Sequence, residues 1–413
     1  MVVLNTSSIR AAGNPSGPAQ AIAKEFDLQA SVGRPARVAL AHDWLCGYRG
    51  GECVLNSLAD LISHAHEPAG MYVMFDDRRP LTPAIDAWHK VRSRLSIIPG
   101  ANGGLRRWLL PAYPAAVADL SRRLGRAHQE KPIDLLLSTS SAAVKGLRPP
   151  DGVPHVCYCH APARYVWSQT DQYAGGLRGL GLGALGPWFR RWDLESAKNV
   201  THFVANSRHI ASEIRRCFGR EAIVVHPPAR TEFFTLPPDA CGRADFWLLV
   251  GALEPYKRVD LAIEAANRAG HELWIVGEGS MREKLETMAG KTVHFLGRVD
   301  DHELRGLYQR ARLLLFPQIE DFGIVAVEAQ ACGLPVVARR AGGALDSVID
   351  GETGCFFDEP TAESVLEAVG RAPNPSTAFD ACRKNAERFA DARFKREMAE
   401  VIARAITGAA SAG

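Results

Sequence analysis

Short apolar runs and amphipathic helical stretches alternate along this chain, stop at a proline-rich stretch, and start again. From Phe246 the order is FWLLVGAL, RVDLAIEAANRA, ELWIVGEG, SMREKLETMA, VHFLGRV, DHELRGLYQRA, RLLLFPQ, FGIVAVEAQACG, PVVARR and GCFFD. Such alternation at βαβ length predicts a parallel sheet with helices on both faces. The earlier half reads the same way. RVALAH, DLLLSTS, HVCYCH and HFVANS are compact buried strands, and a glycine loop (GYRGGE) joins the first of them to a helix. A length of 413 residues exceeds one ordinary core. The fold expected is therefore α/β, with two doubly wound Rossmann-like domains facing a central cleft.

The boundaries expected are a disordered leader over residues 1–34, rich in Ala, Gly, Ser and Pro, and a first domain over 35–230. A linker follows over 231–245, where prolines cluster, then a second domain over 246–390. A C-terminal helix over 391–413 is read as packing back on the first domain.

Lys plus Arg number 49 against 46 Asp plus Glu, a net charge of +3, which argues against bulk nucleic-acid binding. Nine scattered cysteines read as reduced thiols of a cytosolic protein, and CYCH lacks the second pair a structural zinc site needs. No run is long enough for a membrane span, so bilayer contact would be peripheral. Residues 102–127 mix Arg106, Arg107, Arg122, Arg123 and Arg126 with Trp108, Leu109 and Leu110, a combination that suits an anionic membrane surface or an ordinary amphipathic helix pair. Residues 175–192 read as a flexible, glycine-rich loop.

In doubly wound sheets ligands sit beyond the carboxyl ends of the strands. QIEDFGIVAVEAQACGLPVVA, residues 318–338, holds Glu320 and Glu328 eight positions apart around Gly323. If a helix starts near Gly323, its first amides favour phosphate, and the two carboxylates suit sugar hydroxyls. The spacing leaves open a plainer reading, a helix-end charge and a surface glutamate. Lys257 and Arg258 stand at a helix start, where the dipole disfavours cations unless an anion binds. His42 and Asp43 end the first strand, and Asp43 either caps the next turn or touches an acceptor. Gly277 and Gly279 read as turn residues. FDDRR and VDDHE hold adjacent aspartates; the second reads as a helix cap, and no metal is required.

EDFGIVAVEAQACGLPVVA resembles the E-x7-E signature of retaining GT-B glycosyltransferases of family 4. VGALEPYKRVDLAIEAA, IVGEGSMREKLE, HFLGRVDDHELRGLYQRARLLLFPQ and AGGALDSVIDGETGCFF resemble the family's other donor-side segments. HDWLCGYRGGECVL, CYCHAPARYVWSQTDQYA and VANSRHIASEIRRCFGREAIVVHPP resemble its mannosyltransferases of bacterial O-antigen and exopolysaccharide synthesis. The resemblance spans roughly residues 36–400.

The resemblance implies catalytic roles for His160, Glu320 and Lys257. It implies nucleotide-sugar contacts from Gly50, Gly51, Lys257, Arg258, Arg298, Val299, Gly323, Ile324, Val325 and Glu328, and acceptor contacts from Asp43 and Arg164. It implies GDP-mannose as the favoured donor, a polyprenyl-diphosphate-linked oligosaccharide as acceptor, no cofactor, and a cytoplasmic protein held peripherally at the inner membrane. A UDP-sugar transferase and a silent nucleotide-sugar-binding subunit are the alternatives. One position departs from the family: Ala252 stands where an arginine is usual.

Overall fold

A computed structural model describes residues 34–167, 176–238 and 243–410; most of the expected leader lies outside them. The described residues form two compact units. One runs to His226 and takes in the chain again from Phe394; the other is Pro227–Arg393.

The first unit is built on seven parallel strands: β1 (Arg37–Leu45), β2 (Glu67–Asp76), β3 (Lys90–Arg92), β4 (Leu135–Ser140), β5 (His155–Cys159), β6 (His202–Ala205) and β7 (Ala222–Val224). Their order across the sheet is β3-β2-β1-β4-β5-β6-β7. Every residue of β4 and β5 is buried, as expected of central strands covered on both faces. Its helices include α1 (Gly50–Ala65), α2 (Tyr113–Glu130), α3 (Gly176–Ser196) and α4 (Arg208–Phe218). Helix α4 starts and stops by local chemistry. Ser207 Oγ accepts from Ile210 N at its head, and Gly219 adopts φ +63° at its tail.

Helix α3 corrects the expectation of a flexible loop over 175–192. Glycine weakens a helix, but packing outweighs propensity here. Phe189 is fully buried in the unit's main core with Tyr72, Phe75, Leu120 and Leu136, and Arg190 Nη2 and Nε bond the carbonyl of Val166.

The second unit has six parallel strands: β8 (Trp247–Val250), β9 (Leu273–Val276), β10 (Val293–Gly297), β11 (Leu313–Phe316), β12 (Val336–Arg339) and β13 (Gly354–Phe357), ordered β10-β9-β8-β11-β12-β13. Its helices include α5 (Val259–Ala269), α6 (Asp301–Arg310), α7 (Ile324–Ala331), α8 (Pro375–Glu387) and the start of α9 (Asp391–Ala410). Asp300 Oδ1 accepts from Glu303 N at 2.8 Å, so VDDHE is the helix cap its sequence suggests. The stretch after Pro227 is not a free linker where it is described. Phe234 is fully buried in the second unit's core, and Arg383 Nη1 donates to the carbonyls of Thr231 and Phe234. From Phe394 helix α9 belongs to the first unit. Phe394 meets Tyr158 edge-on at 5.7 Å, and Lys395 Nζ donates to Asp60 Oδ2 at 2.6 Å.

Each sheet reverses its direction of growth once. In the first unit this happens between β1 and β4, in the second between β8 and β11. Beyond the carboxyl ends of such a strand pair the loops diverge and leave a crevice.

Candidate functional site

In the second unit the loop after β8 carries Lys257 and the loop after β11 carries Glu320. Lys257 Nζ donates to Glu320 Oε1, and both side chains keep some exposure (14% and 19%), so a ligand can reach them. Residues Pro255–Lys257 form a 3-10 turn, and Arg258 takes the left-handed conformation at φ +51° before α5 begins. A non-glycine residue there is uncommon and strained. Its guanidinium lies on Asp260, with Nε 3.2 Å from Oδ1.

Helix α7 begins beside Glu320. Gly323, its N-cap, has φ +87°, and a Cβ there would stand 2.7 Å from Phe316 Cζ, so only glycine fits. Gly323 has no side chain with which to cap α7. The first amides of a helix, here those of Ile324 and Val325, have no acceptor within it and carry the positive end of the dipole. The loop after β12 supports this turn from behind. Gly343 N donates to Glu320 O at 2.8 Å, and a Cβ at Gly343 would fall 2.1 Å from Phe322 Cα. The site-shaping part of Gly342 and Gly343 is absent from the sequence reading. The signal was there, a glycine pair just past a strand end on the ligand side of the sheet.

Glu328 is buried on α7. Its Oε1 accepts from Arg230 Nε at 3.3 Å, while Arg230 Nη1 and Nη2 reach Asp301 at 2.6 and 3.3 Å. Burial raises the Glu328 carboxyl above its ordinary value, against the pull of Arg230. Neither Arg230 nor Asp301 was foreseen as part of this site. Arg298 is half exposed, 3.3 Å from Glu278, and Val299 packs partly buried on the core. Ala252 is 1% exposed, so the position where the family resemblance implies an arginine holds a buried methyl group. Gly277 and Gly279 are packing residues as well as turn residues: Cβ atoms there would fall 1.9 Å from Gly251 O and 2.4 Å from Leu253 O.

In the first unit Asp43, near the carboxyl end of β1, binds the loop after β4. Its Oδ2 accepts from Ser140 Oγ, Ser141 N and Ala142 N at 3.1, 2.7 and 2.9 Å, and its Oδ1 from Ala143 N and Val144 N at 2.8 and 2.9 Å. The carboxylate is buried and saturated. Asp43 therefore holds the β4 loop in shape, which corrects its expected contact with an acceptor.

Gly50 and Gly51 open α1, and its N-cap residue Arg49 makes no side-chain cap bond to it. Neither glycine has a positive φ. A Cβ at Gly50 would meet nothing within 4 Å, and one at Gly51 would make only ordinary contacts, 3.7 Å to His160 Nε2 and 3.8 Å to His42 Cε1. Two glycines in a helix's first turn that neither backbone nor packing demands leave room for a ligand.

His160 follows β5, its ring 5.3 Å from that of Tyr158. Burial, with His42 and Arg164 beside it, lowers its imidazole to about 3, so it stands neutral. Arg164 begins the short helix Arg164–Trp167. Two further groups converge on the same spot, outside the expected site. His42 Nδ1 lies 2.5 Å from Thr139 Oγ1, and His42 Nε2 is 4.0 Å from Glu52 Oε1 on α1. The Nε2 atoms of His42 and His160 are both buried with no hydrogen-bond partner among the described residues.

The second unit thus offers a lysine and a helix N-terminus for an anion, with carboxylates suited to hydroxyls. The first offers a small cradle lined by His42, His160 and the two glycines of α1. The described residues hold no cluster of His, Cys, Asp or Glu suited to a metal ion.

Residues 242–389 match the family described as glycosyl transferases group 1, and residues 93–233 match Glycosyltransferase Family 4. The chain belongs to the GT-B glycosyltransferases of this group 1/family 4 type. It is 29% identical over 305 residues to the D-inositol 3-phosphate glycosyltransferase of Mycobacteroides abscessus, covering 67% of this chain and 66% of that one. It is 32% identical over 201 residues to the GDP-mannose-dependent alpha-(1-6)-phosphatidylinositol monomannoside mannosyltransferase of Mycolicibacterium smegmatis, covering 42% and 52%. The chain thus spans half to two thirds of the length of these two relatives. The structure of Anabaena Alr3699/HepE in complex with UDP is similar in fold, with a TM-score of 0.64, 16% identity, and coverage of 89% of this chain and 99% of that one.

Proposed function

We propose that the chain is a retaining hexosyltransferase that moves mannose from GDP-mannose to a polyprenyl-diphosphate-linked oligosaccharide. The observation that carries this reading is the Lys257–Glu320 pair beside the open amide end of α7, at the strand-order reversal of the second unit. Lys257 and the amides at Ile324 and Val325 take the diphosphate, Glu320 the hydroxyls of the sugar, and Glu328 the ribose. Arg258, Arg298 and Val299 complete the nucleotide contacts. In the first unit, Gly50 and Gly51 admit the reacting groups closely, and His160 and Arg164 serve the sugar being moved and its acceptor.

The bond from the anomeric carbon to the phosphate oxygen breaks, and its electron pair leaves with the diphosphate. The acceptor hydroxyl oxygen bonds the anomeric carbon from the same face, and its proton passes to the departing phosphate. Lys257 and the helix amides stabilise the charge that grows on the leaving group. A mannosyltransferase relative that uses GDP-mannose supports the donor assignment.

A UDP-sugar donor is the second reading, supported by the UDP bound to the similar Anabaena protein. A silent binding subunit is the third, and Ala252 speaks for it. A panel of GDP- and UDP-sugars, incubated with and without a lipid-linked acceptor, separates them. Acceptor-dependent release of GDP from GDP-mannose alone supports the proposal; release from UDP-sugars only, or from none, defeats it.

Contact with the cytoplasmic face of the inner membrane is part of the proposal. No helix of the described residues is long and apolar enough to cross a bilayer. Ile97, Leu105 and Trp108 are exposed by 69%, 40% and 51%, and Arg94, Arg122 and Arg126 are exposed in the same stretch of the first unit. Exposed apolar side chains together with exposed arginines suit an anionic lipid surface. Co-sedimentation with phosphatidylglycerol vesicles, lost in phosphatidylcholine vesicles and in Trp108→Ser, is the result expected.

A further inference from the structure

Glu328 lies in the middle of α7 between Val327 and Ala329, both fully buried. A carboxylate there must have a counter-charge, or it loses its proton-free form to burial. Arg230 supplies it, from the turn that precedes β8. Its guanidinium is fixed on three sides. It lies 4.8 Å from the centre of the Phe234 ring and 5.5 Å from that of Phe233. Two of its nitrogens fork onto Asp301, at 2.6 and 3.3 Å, and Nε is left for Glu328 Oε1 at 3.3 Å.

One cation serves two buried carboxylates, and the shares are unequal. Asp301 takes the short, two-pronged bond, and stands in the first turn of α6, where the helix dipole also favours a negative charge. Glu328 receives one long bond to one oxygen. A carboxylate held that loosely is aimed but not saturated, in contrast to Asp43. It retains capacity to accept from a ligand.

We infer that Arg230 is the positioning residue of the donor site: anchored by Asp301, it holds the Glu328 carboxylate ready to accept from the ribose hydroxyls of the bound nucleotide. This rests on the proposal that the second unit binds a nucleotide-sugar. The planar fork is essential, because an ammonium cannot bond both carboxylates in one plane.

The test compares binding of GDP and UDP with binding of their 2′,3′-dideoxy counterparts, by calorimetry on the full chain. Bonds from two hydroxyls to a charged acceptor make the wild-type protein prefer the ribose form by about tenfold or more. Arg230→Gln is expected to reduce that preference to about twofold or less, with the dideoxy forms binding nearly as before, since the diphosphate contacts persist. Should Arg230→Gln not fold, Arg230→Lys is read instead, with a preference several-fold below wild type. Asp301→Asn, which weakens the anchor of Arg230, is expected to reduce the preference several-fold.

A wild-type preference that survives in Arg230→Gln or Arg230→Lys overturns the inference alone. So does an equal loss for ribose and dideoxy forms, which marks a structural role, or an undiminished preference in Asp301→Asn. A wild-type chain that binds neither GDP nor UDP defeats the underlying reading as well.

Discussion

Lys257 and Glu320, far apart in the chain, form an ion pair in the second unit because β8 and β11 are neighbours in its sheet. The pair is partly exposed, so its contribution to stability is small, about 1 kcal/mol or less. Its placement at the open end of α7 gives it a different importance. Lys257→Ala and Glu320→Gln are each expected to lower turnover by about 10²–10³-fold, the usual effect of removing one preorganised transition-state group. Thermal unfolding should move little. Parallel measurement of kcat and Tm checks this, and a variant that loses both in step contradicts it.

Gly50 and Gly51 make the opposite separation. Alanine at either site enters a helix turn with open space or ordinary contacts around its Cβ. Each substitution is expected to stabilise the chain by about 0.5–1 kcal/mol. Gly51→Ala also fills the cradle in front of His160 and His42, and transfer should fall at least tenfold. Denaturant unfolding and transfer rates, taken on the same preparation, decide the matter.

Asp43 is a folding residue. Asp43→Ala strands the donors of Ser140, Ser141, Ala142, Ala143 and Val144 at the end of β4. A loss of about 3–5 kcal/mol is expected. Affinity of the second unit for a nucleoside diphosphate should stay within about twofold of wild type, because the residues proposed to hold it belong to the other unit. Urea titration followed by tryptophan fluorescence measures the first effect, calorimetry the second.

Acid should destabilise the first unit through its buried histidines. Burial lowers His155 and His160 to about 3, and His66 to about 4, from an ordinary 6.5. Between 6.5 and those values the unfolded chain binds protons that the folded chain refuses. Stability is therefore complete above pH 6.5 and falls as pH drops, by about 1.4 kcal/mol per pH unit for each group. Both ring nitrogens of His66 are buried without a partner among the described residues, so His66→Leu removes no hydrogen bond. That variant should show a shallower pH slope, by one such increment between pH 6.5 and about 4. Unfolding free energies at several pH values test it, and an unchanged slope refutes it.

Much of the fold was legible from local pattern. Strands such as β4, β5, β8, β11 and β12 are compact apolar runs, and Asp300 caps α6 with the residue type such a position asks for. The signal failed where local preference and packing disagree. The glycines of α3 read as a loop, yet Phe189 and Arg190 dock the helix. Strands β2, β3 and β7 escaped notice. Two of them are only three residues long, and Glu67, Pro68 and Gly70 open β2 with poor strand formers. Asp43 read as a cap or an acceptor contact, since nothing in its neighbourhood announces that its five donors arrive from about a hundred residues away.

By itself the sequence determined the alternation of strand and helix, the restart that makes two units, the glycine that begins α7 and the charged residues at strand ends. These follow from periodicity, capping and backbone sterics acting over a few residues. Only the tertiary structure decided that the loops after β8 and β11 lie side by side, that Arg230 is shared by Glu328 and Asp301, and that Asp43 is spent on the backbone of another loop. Strand order and the choice of a charge's partner are set by burial summed over the whole unit, and that sum leaves no mark within any one stretch of chain.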